Sequence, residues 1–129
     1  MNGTGARLYR WEDLPKEELK AGVRRRLVST ERMMVAHVYL DEGAVVPRHE
    51  HENEQLTYIL EGVLRFRLGD DESELVDVHA GEILHIPSWL PHSAEAKVKP
   101  PTESRKIYLM PKRPASQPVS GIMIAAATM

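Results

Sequence analysis

Hydrophobic and polar positions alternate along much of the chain after Gly22. The clearest run is 63–68, where apolar side chains stand at the even positions and arginines at 65 and 67. A two-residue period places one set of side chains on each face of a β-strand. The pattern predicts that Leu64, Phe66 and Leu68 point to a core, while Arg65 and Arg67 form a solvated outer face.

Several other segments are predicted to be strands and are bounded by turn residues or proline. They are 33–40, 55–60, 75–79, 82–86 and 105–110. Short strands separated by glycine and acidic turn residues are typical of a sandwich or barrel. Only the run 15–20 favours a helix, with Asp13 as a candidate N-cap and Pro15 in the first turn. The prediction is an all-β domain with a short N-terminal helical segment.

The polar and apolar patterns divide the chain into three segments. Residues 1–22 form an N-terminal segment, 23–113 a β-barrel, and 114–129 a C-terminal tail. Every acidic residue lies at or before Glu103, and five of the nine prolines lie at or after Pro100. The tail also lacks a clear period, so we expect it to be irregular.

Composition narrows the class of protein. A chain of 129 residues suits one domain, and the absence of cysteine excludes disulfides and thiol chemistry. The net charge of −2 gives no overall basic surface for nucleic acid, and we interpret the run Arg24–Arg26 as a solvated edge strand. The N-terminus has no apolar stretch typical of a secretory signal, and no run approaches the ~20 apolar residues of a membrane span. A cytoplasmic protein is expected.

Histidines provide the candidate chemistry. His49 and His51 are two residues apart, which on a strand places both imidazoles on one face. Two neutral imidazoles side by side are a natural beginning for a transition-metal site. Gln55 opens the next predicted strand, and His92 follows a proline-rich turn. In a closed barrel, strands distant in sequence can aim side chains at one interior point.

The spacing of these residues resembles the two motifs of the cupin superfamily. Gly43, His49, His51 and Gly62 fit the first motif, with Gln55 where a glutamate is usual. Gly81, Pro87 and His92 fit the second motif; Trp89 stands where a glycine is usual, and Ala96 where an asparagine is usual.

The resemblance implies a small jelly-roll β-barrel that binds one divalent metal ion. The implied ligands are His49, His51, Gln55 and His92. Nickel, manganese, iron, zinc and copper all remain open, because mixed nitrogen and oxygen ligands do not identify the ion. The resemblance also implies a homodimer and a small-molecule ligand or substrate.

Residues 53–62 and 81–87 further resemble the small cupins related to KdgF, which act on unsaturated uronates in pectin degradation. Those proteins usually continue with an Asp-x-Phe-Ser-Pro-x-Arg-like string. When this string is aligned with residues 107–113, its proline and arginine match Pro111 and Arg113, but Ile107 stands at the acidic position. Arg113 is therefore the candidate catalytic residue, and the acid is missing.

Three functions stay open. Three imidazoles and an amide leave the full charge on a bound ion, which favours Lewis-acid catalysis of an isomerase or lyase type on a small oxyanionic or sugar-acid-like substrate. The alternatives are a non-catalytic metal or small-molecule binding module and a metal-dependent dioxygenase.

Other residues have simpler interpretations. Glu54 is a rival ligand to Gln55, and His85 is interpreted as an ordinary buried histidine. His37 and His79 are expected to have no part in function, and Tyr58 and Phe66 are expected in the core.

Overall fold

The computed structural model describes residues 3–97 and the backbone of residues 104–111. This part of the chain is almost entirely β-structure. In chain order its strands are β1 (Glu17–Lys20), β2 (Val23–Ser29), β3 (Met33–Leu40), β4 (Val45–His49), β5 (Gln55–Tyr58), β6 (Val63–Leu68), β7 (Glu74–His79), β8 (Ile83–Ile86), β9 (His92–Ala96) and β10 (Ser104–Pro111).

The strands form two antiparallel sheets. The larger has the order β1-β2-β3-β10-β5-β8, and the smaller has the order β4-β9-β6-β7. β10 inserts between β3 and β5, so a strand late in the sequence completes the sheet that the early strands begin. This confirms the strand predicted at 105–110, and the all-β architecture is also confirmed.

One hydrophobic core lies between the two sheets, because its buried residues come from both. β6 shows how the sequence pattern produces it: Leu64, Phe66 and Leu68 are buried, whereas the intervening arginines carry ion pairs. Arg65 Nε lies 2.7 Å from Asp77 Oδ1 on β7. The other core residues are Val23, Ala36, Val38, Leu40, Ile59, Val78, Ile86, Ala94 and Ala96.

The prediction of a helix over 15–20 was wrong in position. The helical segment is a single 3-10 turn, Trp11–Asp13, and strand β1 follows it. Six residues are too few for a stable isolated helix, whereas pairing with β2 satisfies the backbone groups on one side of β1. An ion pair between Arg25 Nε and Glu17 Oε1, 2.6 Å apart, adds to that pairing.

β1 also changes the interpretation of the arginine run on β2. Because β1 is the edge strand, β2 is internal to the sheet, and the prediction of an edge strand was wrong. Arg24 pairs with Asp41 at 3.0 Å, and Arg26 Nη1 donates to the Tyr39 hydroxyl at 3.2 Å. The run is thus part of the sheet's own side-chain network.

The 3-10 turn covers the outer face of β3. The Trp11 indole stacks on the His37 ring, with 3.7 Å between centroids and 17° between planes. His37 and Tyr39 are buried there, on the side opposite to the core residues Ala36 and Val38. His37 therefore has a packing partner, and no role in the candidate site is needed to account for it.

Among the described residues, no helix is long and apolar enough to cross a membrane. The predicted tail 114–129 and the candidate catalytic residue Arg113 lie outside the described residues.

Candidate metal centre

Pairing of β4 with β9 brings the two histidine segments together. His49, the last residue of β4, lies opposite His92, the first residue of β9. The register shifts between Val46 and His49, which marks a β-bulge or irregularity just before the first histidine. Bulges re-aim side chains at the ends of strands, so this local irregularity positions His49.

His51 completes a group of three imidazoles. The ligand atoms of His49, His51 and His92 all lie within 4.8 Å of one another, so the group could hold a metal ion. The ring centroids of His49 and His92 are 4.2 Å apart, and those of His51 and His92 are 5.0 Å apart. Within the described residues this is the only such group of histidine, cysteine and acidic side chains.

Backbone carbonyls set the tautomer of all three neutral rings. Each Nδ1 lies 2.8 Å from a carbonyl oxygen, and the carbonyls belong to Pro47 for His49, Asn53 for His51 and Leu90 for His92. A carbonyl oxygen can only accept, so each Nδ1 must carry the proton. The neutral ring then keeps the lone pair of Nε2 for a metal, which is the usual arrangement of metal-binding histidines.

Gln55 adds an oxygen to the imidazole group. Its Oε1 lies 3.2 Å from His51 Nε2, and its Nε2 donates to Thr57 Oγ1 at 2.8 Å. Both Gln55 and Thr57 are buried and, two residues apart on β5, share the inner face of the sheet. The amide is thereby held with its oxygen beside the histidines.

The group is enclosed on one side and open on the other. His92 is buried, His51 is half-buried and His49 is exposed. Solvent, and therefore a small molecule, can reach the side on which His49 lies. Burial of His92 and Gln55 provides the protected side, where hydrogen-bonding geometry is least disturbed by water.

The loop before β9 supports two of the histidines. Leu90 supplies the carbonyl that orients His92, and the backbone N–H of Trp89 donates to the carbonyl of His51 at 2.8 Å. Trp89 has a left-handed backbone with φ of 64°, and the residue is 58% exposed. The sequence indicated that Trp89 replaces a usual glycine, but not that its backbone contacts a candidate ligand residue.

Two other predicted residues occupy different surroundings. His85 is exposed, so its interpretation as a buried histidine was wrong; Leu84 and Ile86 flank it, and Ile86 takes the buried position on β8. His85 Nε2 lies 2.7 Å from Glu54 Oε1. The rival ligand Glu54 therefore pairs with His85 and does not belong to the three-histidine group.

The remaining predicted side chains are not members of the three-histidine group. Phe66 is in the core as predicted, whereas Tyr58 is only half-buried. His79 and Glu82 form a turn contact: the backbone N–H and ring of His79 donate to Glu82 and hold the pKa of that carboxyl below its usual range. Thr57 was missed by sequence reasoning, although its position two residues after Gln55 on a strand was a usable signal.

Comparisons with known proteins agree with this architecture. The KdgF structure from Halomonas sp. shares 24% identity at a TM-score of 0.73, covering 85% of this chain and 96% of that one. An RmlC-like cupin from Shewanella frigidimarina shares 20% identity at a TM-score of 0.71, covering 86% and 95%. A mutant of Bacillus subtilis oxalate decarboxylase shares 22% identity at 0.69, covering 84% of this chain and 30% of that one.

At such identities these structures establish the fold and do not establish a reaction. None of the curated proteins matches the chain. The family model of the cupin domain matches residues 36–103. This span is more than half of the chain and contains the three histidines of the candidate metal centre, His49, His51 and His92. The chain therefore belongs to the cupin family.

Proposed function

We propose that this cupin binds one divalent transition-metal ion through His49, His51, His92 and Gln55. The observation that carries the proposal is the hydrogen bonding of the three Nδ1 atoms to backbone carbonyls, which leaves the Nε2 lone pairs available in three histidines whose ligand atoms lie within 4.8 Å of one another. Imidazole nitrogen suits zinc, copper, iron and nickel, and an amide oxygen is compatible with these ions and with manganese. The donor set fits such an ion and leaves its identity open.

The same donor set supports Lewis-acid chemistry. When bound, a divalent ion would polarise a carbonyl or carboxylate oxygen or acidify a water molecule. The four protein ligands are neutral, so they would leave the formal charge of the ion uncompensated. The exposed side at His49 gives a small anion access, and the buried side at His92 and Gln55 excludes water. A small oxyanionic or sugar-acid-like substrate, in an isomerase or lyase type of reaction, is the proposal that follows.

Elemental analysis of purified, untagged protein tests the metal site. We expect about one ion per chain in the parent protein, since one group of histidines provides the ligands. A His49→Ala, His92→Ala double variant should hold little metal, and circular dichroism should show that it is still folded. A folded parent protein that contains no metal and takes up none of the five candidate ions would contradict the proposal.

Turnover of unsaturated uronates tests the proposed reaction. KdgF-like cupins accelerate the conversion of these products to linear keto sugars, so metal-loaded protein should exceed the spontaneous rate if the reaction is shared. Arg113 remains the predicted catalytic residue for that chemistry, and Arg113→Ala should then slow it. No acceleration over the spontaneous rate would eliminate this substrate class.

A non-catalytic binding module is the second candidate function. The supporting observation is that position 107, where KdgF-like chains carry an acid, is Ile107 on β10. This candidate predicts saturable binding of a small molecule without product. A dioxygenase is the third candidate; it predicts oxygen uptake with an organic substrate when the protein contains iron, manganese or copper.

We also propose that the protein is a cytoplasmic homodimer. The four residues of edge strand β1 are all exposed, and an exposed edge is a suitable place for pairing with a second chain. Light scattering coupled to gel filtration distinguishes a monomer of 14.6 kDa from a dimer, and cell fractionation tests the location.

A further inference from the structure

Trp89 combines three features that the metal ligands do not explain. Its backbone has a positive φ of 64°, the residue is 58% exposed, and its backbone N–H donates to the carbonyl of His51. Only one other described non-glycine residue has a positive φ, Glu72 in the turn after β6. A bulky side chain in the left-handed region is strained, and such strain concentrates at functional sites.

Folding alone gives no reason for tryptophan at this position. A glycine would adopt the same φ without strain. The exposed indole also leaves much of its apolar area in water, so it contributes little to the core. The backbone hydrogen bond to His51 would be available to any residue with an N–H. What tryptophan alone adds is a large flat aromatic surface.

The backbone at Trp89 and Leu90 contacts two residues of the candidate metal centre. The Trp89 backbone is joined to the backbone of His51, and the next residue, Leu90, supplies the carbonyl that orients His92. The indole therefore belongs to a loop that forms hydrogen bonds with two of the three histidines, His51 and His92. Exposure of both Trp89 and His49 places the indole and the open side of the histidine group in contact with solvent.

We propose that Trp89 is a specificity-determining residue whose indole contacts the ring of a carboxylate held at the metal centre. This inference rests on the proposed metal site. The carboxylate would meet the ion, and the flat or apolar ring beyond it would stack on the indole. Ligands that carry a ring are therefore favoured over acyclic carboxylates of equal charge.

The experiment compares three carboxylates on zinc-loaded protein, because Zn²⁺ is closed-shell and not redox-active. Benzoate offers an aromatic ring, cyclohexanecarboxylate an aliphatic ring of similar size, and acetate no ring. A Trp11→Phe background keeps a ring against His37 and leaves Trp89 as the only fluorescent tryptophan, since the chain has two. Zinc binding is first measured separately by calorimetry, and each carboxylate is then titrated by fluorescence and calorimetry.

We expect both ring carboxylates to bind about tenfold tighter than acetate, as an aromatic contact and buried apolar area together allow. Benzoate and cyclohexanecarboxylate distinguish the two contributions: a preference for benzoate indicates ring stacking, and equal affinities indicate burial of apolar area. Trp89→Gly should bring all three affinities within about twofold of one another while zinc affinity stays unchanged. Trp89→Phe should retain part of the preference.

Stability measurements separate this role from a structural one. Trp89→Gly should melt at the same temperature as the parent or higher, because glycine relieves the positive φ. Glu72→Gly relieves the other positive φ and should leave the preference for ring carboxylates unchanged. If zinc binds but the parent shows no ring preference, or Trp89→Gly retains it, the assignment of Trp89 is overturned and the metal site stands. If no zinc binds, both are overturned.

Discussion

The side-chain amide of Gln55 donates to the hydroxyl of Thr57 across 2.8 Å, and both residues are buried on β5. An amide has two different ends, unlike a carboxylate. The contact with Thr57 engages the nitrogen end, so the oxygen end lies beside His51, 3.2 Å from its Nε2. Thr57 therefore accounts for how a glutamine can present an oxygen at the position where many cupins carry a glutamate.

Replacing Thr57 with valine should weaken metal binding. Valine keeps the shape of threonine but removes the acceptor for the Gln55 amide, so the amide is free to rotate. Loss of a partner that orients a ligand typically costs about 10–100-fold in metal affinity. Calorimetric titration with zinc or nickel measures the change. Thr57→Ser retains the hydroxyl and is the matched control; equal affinities for the valine and serine variants would exclude this role.

Replacing Gln55 with glutamate should strengthen metal binding. A carboxylate adds a negative charge beside the ion, and the Thr57 hydroxyl can donate to it instead of accepting. Electrostatic attraction at such short range supports a gain of about tenfold or more. Gln55→Ala, which removes the side-chain oxygen, provides the comparison. If Gln55→Glu and the parent bind zinc equally well, position 55 does not face the ion.

Metal should also stabilise the fold. A ligand that binds only the native state stabilises it by about 2.7 kcal/mol when its free concentration is 100 times the dissociation constant. Thermal unfolding with increasing zinc should therefore shift to higher temperature in the parent protein. The His49→Ala, His92→Ala variant should show no shift. A shift of the same size in that variant would place the ion elsewhere.

Truncation of Phe66 should be the most damaging single change on β6. The side chain is 1% exposed and lies in the core between the sheets, and Phe→Ala in a core typically costs about 3–5 kcal/mol. The neighbouring Arg67 points outward, 3.9 Å from Glu95, so Arg67→Ala should change the free energy of unfolding by less than about 1 kcal/mol. Urea denaturation compares the two, and equal losses would contradict the assignment of the two faces.

The contact between Arg65 and Asp77 should make stability depend on pH. The hydrogen bond from the Arg65 guanidinium lowers the pKa of Asp77 below its usual range. A carboxyl whose pKa is lower in the folded state stabilises the fold above its unfolded pKa, and this stabilisation is lost as the pH falls through the folded pKa.

Urea midpoints of the parent and Asp77→Asn, measured at pH 7 and pH 3, test this expectation. The parent should be the more stable at pH 7, and the difference should shrink at pH 3. Because both residues are partly exposed, the effect should be small. Arg65→Gln removes the guanidinium that lowers the pKa of Asp77. In that background the effect of Asp77→Asn on the urea midpoint should be nearly the same at pH 7 and pH 3.

Much of the fold followed from local patterns. Alternation in 63–68 and the turn residues around it predicted β6 and its two faces, because side chains on a strand alternate and one face must leave water. The strand at 105–110 was also predicted, as a run that Pro111 ends. The prediction of a helix over 15–20 was wrong because the helix-favouring residues there gave only a weak, local signal. β1 forms instead because it pairs with β2 and because Arg25 contacts Glu17.

His85 shows a second limit of local patterns. In β8 apolar residues occupy positions on both faces, Ile83, Leu84 and Ile86, so the alternation does not reveal which face is inside. Pairing with β5 sets Ile86 opposite the buried Gln55 and His85 opposite Leu56. Pairing with β5 therefore decided which face of β8 points to the core, and His85 lies on the exposed face.

By itself the sequence determined the cupin motifs and the two-residue spacing of His49 and His51, since these depend on neighbours along the chain. It did not predict strands β4 and β9, and His51 lies beyond the end of β4. Tertiary structure decided the rest. The register of β4 against β9 brought His92 to His49, the contact with Thr57 oriented the amide of Gln55, and the loop before β9 gave Trp89 its positive φ. The first and third features depend on pairing between segments distant in sequence, whose register no local spacing specifies. The second depends on the burial of Gln55 and Thr57 on the inner face of β5.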